Sequence, residues 1–330
     1  MVLKIDNLIE IESYLKDRKW ISEEDKILKV EKPGDGNMNF TLRVYISTGK
    51  TLILKQSKDF VEKYPSISAP ANRAVIEGKF YEFILSNEKL KAFMPSLIGI
   101  DEVNNIIALQ DLGFSSDYSF LYLPNQEIDK EQVVEIISFL NELHNGFKDG
   151  FHPPIFENKA MRILNHEHIF LYPFMEDNGF NLDSILPGLQ NEALTYKKDV
   201  NLKNKIKYLG DLYLSNGPYL LHGDFYPGSF LNTDKGVKII DPEFCFFGFA
   251  EFDLGVLIAH LKLSGQSQEI IDLAITSYEK REDFSINLLF QFVGVEILRR
   301  IIGLAQLPLS SSIETRVELC KEAKELLINH

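Results

Sequence analysis

His222-Gly223-Asp224-Phe225-Tyr226-Pro227-Gly228-Ser229, followed at a short distance by Asp241-Pro242-Glu243, is the stretch on which the reading of this chain turns. Residues 237–240 read as an apolar strand that delivers Asp241. Each motif is a weak signal alone: Asp224 and Asp241 read as turn residues, and Glu243 as a solvated one. Together they set out carboxylates in the order that phosphoryl transfer needs. That chemistry asks one carboxylate to orient an attacking hydroxyl and accept its proton, and others to hold the magnesium ion that bridges the phosphates. Two carboxylates at i and i+2 leaving a strand end can reach one hard cation. The expectation is therefore Asp224 as catalytic base, Asp241 and Glu243 as Mg2+ ligands, ATP as donor and a small-molecule hydroxyl as acceptor.

Upstream residues fit the same chemistry. Gly34-Asp35-Gly36-Asn37 lies between two expected strands, where glycines let backbone approach phosphates closely; a plain hairpin turn is the bland alternative. Lys55 closes the strand Ile53-Leu54-Lys55-Gln56 and, pointing inward, would pair the α- and β-phosphates, with Glu77 on the next helix as its partner. Gln110 and Leu112 lie in the connector Leu109-Gln110-Asp111-Leu112-Gly113, whose backbone is expected to face the adenine.

Strands are expected over residues 27–30, 39–46, 51–56, 96–100 and 106–110, with amphipathic helices over 4–18 and 72–85. Beyond Gly113 helical periodicity dominates, over 133–147, 203–214, 252–263, 268–280, 286–305 and 313–328, with two short strands and a loop between Tyr219 and Phe244. Residues 150–188 are poorly patterned. The order predicts an α+β, protein-kinase-like bilobal fold: a small antiparallel β-sheet lobe over 1–112 and a larger, mainly helical lobe over 113–330.

Composition bounds the partners. The chain has 330 residues, 45% hydrophobic and 25% charged, ordinary for a globular protein. A net charge of −13 argues against nucleic acid, whose counterions need a basic surplus to displace them. No apolar run reaches the roughly 18 residues of a membrane span, and Cys245 and Cys320 have no metal-ligand spacing. A cytoplasmic chain with two reduced cysteines and no membrane partner is expected; a homodimer is left open.

These motifs resemble those of the aminoglycoside phosphotransferase and choline kinase superfamily, and within it the methylthioribose kinases. Three islands carry the likeness: Gly34-Asp35-Gly36-Asn37-Met38-Asn39; Ile240-Asp241-Pro242-Glu243 running on to Phe252-Asp253-Leu254-Gly255; and Glu296-Ile297-Leu298-Arg299-Arg300. The resemblance implies Asp224 as base, Asp241 and Glu243 on magnesium, and Arg299 and Arg300 on a substrate sugar. Two departures bear on the acceptor. Tyr64-Pro65-Ser66-Ile67-Ser68-Ala69-Pro70 lacks the tryptophan of that family's substrate loop, and Phe225-Tyr226-Pro227 stands where it has Leu-His-Thr.

Several residues read as structural. Asp253 is expected to cap a helix and steady the catalytic loop, while His222, His144 and Trp20 are expected to pack. A cationic acceptor of aminoglycoside or amino-alcohol type suits the acidic net charge. Adjacent guanidiniums at Arg299 and Arg300 argue for a neutral sugar. A nucleotide-binding scaffold without turnover is disfavoured, because Lys55, Glu77, Asp224, Asp241 and Glu243 are all present.

Overall fold

The structure is a computed structural model and describes residues 1–34, 38–148 and 150–329. The chain packs as two compact units, Met1–Ser115 with Lys238–Cys245, and Ser116–Val237 with Phe246–His330. The segment bearing Asp241 and Glu243 thus packs with the first unit, although it lies far downstream in sequence.

The first unit runs α1 (Leu8–Asp17), β1 (Ile27–Glu31), β2 (Phe40–Ile46), β3 (Thr51–Gln56), a hairpin of β4 (Phe60–Val61) and β5 (Tyr64–Ser68), α2 (Arg73–Ile84), α3 (Glu88–Phe93), β6 (Leu97–Asp101) and β7 (Ile106–Gln110). Five strands form a sheet, antiparallel throughout, in the order β1-β2-β3-β7-β6. Register puts Leu42, Leu54 and Ala108 side by side on one face and Thr41, Lys55 and Ile107 on the other. The first face, with Val44, Leu52 and Ile106, buries against Ile11, Tyr14 and Leu15 of α1. The second receives α2: a Cβ at Gly78 would lie 2.8 Å from Ile100 Cδ1 and 2.9 Å from Ile107 Cγ2. Period-two alternation therefore turns Lys55 towards α2 as directly as it turns Leu54 away.

Most expected elements of this unit are present with small shifts at their ends. The first helix begins at Leu8, where Asn7 accepts from the Glu10 N–H, and not at residue 4. Trp20 packs against the Tyr14 ring and over Gly99 of β6. The β4–β5 hairpin and α3 were not foreseen.

The second unit contains β8 (Ser116–Asp117), α4 (Lys130–Phe147), α5 (Lys159–His166), α6 (Leu189–Lys197), α7 (Val200–Leu214), β9 (Tyr219–Leu221) and β10 (Phe230–Thr233). From there β11 (Gly236–Ile239) carries the chain back to the first unit; β12 (Phe246–Gly248), α8 (Glu251–Leu263), α9 (Gln268–Ser277), α10 (Ile286–Ile302) and α11 (Ile313–Ile328) follow. Two short antiparallel pairs, β9 with β12 and β8 with β10, involve the strands on either side of the loop that bears Asp224. Helices α8 and α10 are buried on almost every side, as befits apolar helices at the centre of a core. A Cβ at Gly294 would stand 2.6 Å from the Ala323 carbonyl oxygen, so α10 and α11 approach backbone to backbone there. Helix α10 stops at Ile302, three residues before its expected end, where the Gly303 N–H bonds to the Arg299 carbonyl. Residues 150–188, unpatterned in sequence, fold as α5 and a series of single helical turns. Both cysteines are buried and form no disulfide, and no helix among the described residues is long and apolar enough to cross a membrane.

Candidate active site

In the first unit, Lys55 leaves β3 towards α2 and its Nζ lies 2.7 Å from Glu77 Oε1. The same ammonium pairs with the Asp241 carboxylate. Burial disfavours the lysine's charge, but Asp241 and Glu77 outweigh it and hold its pKa well above the ordinary value. Burial pushes the Glu77 carboxyl up to about 7, with Lys55 pulling against it. Asp241 sits in the left-handed region, φ 65° and ψ 47°, a conformation that costs a non-glycine residue about 1–3 kcal/mol and collects at functional positions. Its side chain keeps 42% of its surface exposed, whereas Lys55 and Glu77 are nearly closed off.

Glu243, two residues on, is set differently. It is buried, accepts from Asn39 Nδ2 at 2.8 Å and lies 3.5 Å from Arg73 Nε. Burial pushes its carboxyl up to about 8; the Glu77 charge adds to this and Arg73 opposes it. Sequence reading missed Arg73, which is fully buried and donates to the carbonyls of Met38, Lys58, Phe60 and Pro70. One signal was available, since an arginine in the first turn of a helix stands against the helix dipole and asks for a specific reason. Among the described residues, no three or more His, Cys, Asp and Glu converge as a metal-ligating group. The donor set still fits magnesium, which is commonly held through one or two carboxylates and completes its shell with phosphate and water. Asp241 is the open carboxylate of that set, and Glu243 the enclosed one.

Of the glycine loop, Gly34 is exposed with open space where a Cβ would point; Asp35, Gly36 and Asn37 lie outside the described residues. The connector is tied by residues not anticipated. Arg43 Nε and Nη2 reach Asp111 at 2.7 and 3.0 Å, and Nη2 also donates to the Gly113 carbonyl at 2.8 Å. Gln110 stays in the sheet through its N–H to the Ser96 carbonyl, and Leu112 lies within the segment that the Arg43–Asp111 pair fixes.

In the second unit, Asp224 follows β9 on a loop whose backbone is held from below. Asp253 accepts from the N–H groups of His222 and Gly223 at 2.6 and 2.9 Å, and His144 Nε2 lies 3.3 Å from the same carboxylate. Asp253 thus steadies the loop, as expected, but it does not cap its own helix: the N-cap is Ala250. The Ser229 hydroxyl and the Tyr226 N–H both donate to the Asp224 carbonyl. Burial raises the Asp224 carboxyl above its usual range, with Arg300 and then Arg299 pulling it down.

Arg299 and Arg300 both lie within this unit's core, 7% and 6% exposed. Positions i+3 and i+4 straddle position i on a helix, so both reach back to Glu296: Arg299 Nη1 to Oε2 at 2.9 Å, Arg300 Nε to Oε1 at 2.6 Å. Arg300 Nη2 is 3.9 Å from Asp224 Oδ1, and its guanidinium lies over the Tyr226 ring. The structure thus brings Asp224 and Arg300 together and adds Glu296, His260, Tyr122 and Tyr226, to which sequence reading gave no role.

No family model matches the chain. It is 26% identical to methylthioribose kinase 1 of Oryza sativa subsp. japonica over 259 residues, 73% of this chain and 57% of that protein. The chain therefore matches less than two thirds of the rice protein's length. Over 343 residues it is 27% identical to the methylthioribose kinase of Geobacillus sp. (strain WCH70), covering 86% of this chain and 80% of the relative. The fold matches the crystal structure of a spectinomycin phosphotransferase in complex with ADP and spectinomycin, with a TM-score of 0.56 at 14% identity over 99% of this chain and 98% of that one. The architecture is accordingly the two-lobed kinase-like α+β fold.

Proposed function

We propose that this methylthioribose kinase-like chain of the aminoglycoside phosphotransferase and choline kinase superfamily is an ATP- and magnesium-dependent phosphotransferase. Its acceptor, in this reading, is a hydroxyl of a small sugar-like molecule, with methylthioribose as the leading candidate. The observation that carries the proposal is the Lys55 ammonium held between Glu77 and the outward-facing Asp241. A lysine so fixed meets phosphate oxygens as a point charge, while Asp241 and Glu243 are the candidate metal ligands. Asp241 and Glu243 would hold magnesium, which would supply positive charge to offset that of the phosphates. Gly34, Asp35, Gly36 and Asn37 would cover the phosphates, and the backbone at Gln110 and Leu112 would face the base. Asp224 takes the proton of the acceptor hydroxyl as its oxygen bonds to the γ-phosphorus and the bond to the β-phosphate oxygen breaks, releasing ADP.

Arg299 and Arg300 are assigned to the acceptor. Glu296 and Asp224 offset their two charges, which favours a neutral acceptor. A cationic acceptor of aminoglycoside or amino-alcohol type keeps only the support of the acidic net charge. The test is acceptor-dependent ADP release from Mg-ATP over a panel of neutral sugars and amino alcohols. Turnover is expected with a sugar, and Asp224→Asn should lower kcat by about 10²–10⁴-fold while calorimetry shows nucleotide affinity unchanged. Release with amines alone would move the protein to the other acceptor class, and no release with any acceptor would remove the reading.

A further inference from the structure

Glu296 has no part in the chemistry above, yet the charges of the second unit are arranged around it. It is 1% exposed on α10, and burial alone would favour its neutral form. Arg299 and Arg300 reverse that and hold its carboxyl far below the usual range. Behind it, His260 Nε2 lies 3.1 Å from Glu296 Oε1, and His260 Nδ1 meets the Tyr122 hydroxyl at 2.5 Å. Burial pushes the His260 imidazole down to about 4, so it is neutral at physiological pH and carries a single N–H. A carboxylate can only accept, so Nε2 donates to Glu296 and Nδ1 accepts from the Tyr122 O–H. Tyrosine, histidine and glutamate thus form one directed chain, with every donor used, ending on the guanidinium nearest the base.

The end of that chain is what matters. Arg300 Nη2 stops 3.9 Å short of Asp224 Oδ1, outside hydrogen-bond distance, while its Nε is spent on Glu296 at 2.6 Å. A guanidinium in direct contact with Asp224 would occupy the lone pairs that must receive the acceptor's proton, and would lower its pKa by about 1–3 units. We propose that Glu296 is a positioning residue that holds Arg300 off Asp224, keeping the carboxylate a competent proton acceptor and the guanidinium open to the acceptor's oxygens. The proposal rests on the kinase reading for its catalytic meaning. The other groups that act on Asp224 are Arg299 and His222.

Two measurements test it. With Mg-ATP and a turned-over acceptor, Glu296→Gln should move the acid limb of kcat/KM to lower pH by about one unit and lower kcat by about tenfold. A role in stability alone moves neither limb nor slope. Adding Arg300→Gln to Glu296→Gln removes the competing cation and should bring the limb back towards wild type, although acceptor KM rises. If Glu296→Gln does not fold, Tyr122→Phe, which deletes one hydroxyl at the far end of the chain, should shift the limb the same way by less. Carbon-13 titration of the Asp224 carboxyl asks the question without turnover and should report a lower pKa in either variant. An Asp224 titration and acid limb unchanged from wild type would overturn the proposal; a wild-type protein without turnover, but with the titration shifted, would instead break the kinase reading alone.

Discussion

The two charged centres of this molecule are built to opposite electrostatic ends. Around Lys55, two cations (Lys55 and Arg73) face three carboxylates (Glu77, Asp241 and Glu243); the surplus is negative when all three are ionised, and protons on Glu77 and Glu243, pushed up to about 7 and about 8, hold it back until a further cation arrives. Around Glu296, two guanidiniums face two carboxylates, Glu296 and Asp224, and the charges balance. The first centre invites a further cation, which the exposed Asp241 carboxylate can receive, and its surplus suits magnesium better than a bare nucleotide. The second has no net charge to satisfy, which suits a neutral polyhydroxylated acceptor. Adjacent arginines in a sequence therefore do not by themselves make a positive pocket; the residue one helical turn before them decides.

The sharpest way to break this comparison is to remove the carboxylate that creates the surplus. Asp241→Ala should lower magnesium-dependent turnover by about 10³-fold or more with little change in fold, because the side chain is only partly buried. Chelation of the metal should reproduce the loss in the wild type and add little to the variant. Circular dichroism with steady-state kinetics at saturating magnesium checks both parts, and near wild-type turnover in Asp241→Ala would dissolve the cation-binding character of the first centre.

A smaller effect is expected at the balanced centre. A hydrogen bond to a charged group contributes roughly 1.5–3 kcal/mol, so Arg300→Ala should raise the acceptor KM by about 10- to 100-fold. The ATP KM should hold nearly constant. The same substitution leaves Glu296 with Arg299 alone, so a cationic acceptor should be used no worse than before, or better. Kinetics with both acceptor types decides, and normal sugar kinetics in Arg299→Ala and Arg300→Ala alike would take the pair out of the acceptor site.

How far the sequence carried differs between the centres for a physical reason. Strand alternation is local, so Lys55 on the α2 side of β3, and Glu77 on α2 opposite it, follow from period and order. The motif spacing likewise brought Asp241 forward. The contacts of Arg73 and Asn39 were not legible, because their partner, Glu243, lies about 170 and 204 residues away in the chain; only the place of Arg73 in the first turn of α2 marked it. For Arg299 and Arg300 the resemblance implies a pair on a substrate sugar; Glu296 is quoted beside them without a role, although i+3 and i+4 spacing makes the contact predictable. His260 reaches Glu296 through the packing of α8 on α10, and Tyr122 reaches His260 from the single turn after β8, neither of which periodicity shows. Residues 150–188 stayed unread because single helical turns carry too little repeat to see.

The remaining expected effect concerns the inner end of the balanced centre and is read in stability. The His260 pKa in the folded protein, about 4, lies below its ordinary value of 6.5. The unfolded chain therefore takes up its proton first as pH falls. The stability that His260 contributes is complete above about pH 6.5 and is lost progressively towards about pH 4, below which both states are protonated. At 1.36 kcal/mol per pKa unit the window is worth about 3 kcal/mol. Glu243 and Glu77, raised by burial, act in the opposite sense and weaken the fold as pH rises through the ordinary carboxylate range towards 7 to 8. Wild type alone would mix these slopes, so the comparison is with His260→Gln, whose amide can donate to Glu296 and accept from Tyr122 without titrating. Urea denaturation at about pH 7 and about pH 5 should show the wild type losing more stability on acidification than the variant. Equal losses would mean that His260 titrates in the folded protein as it does in the unfolded chain, and that burial does not hold its pKa down.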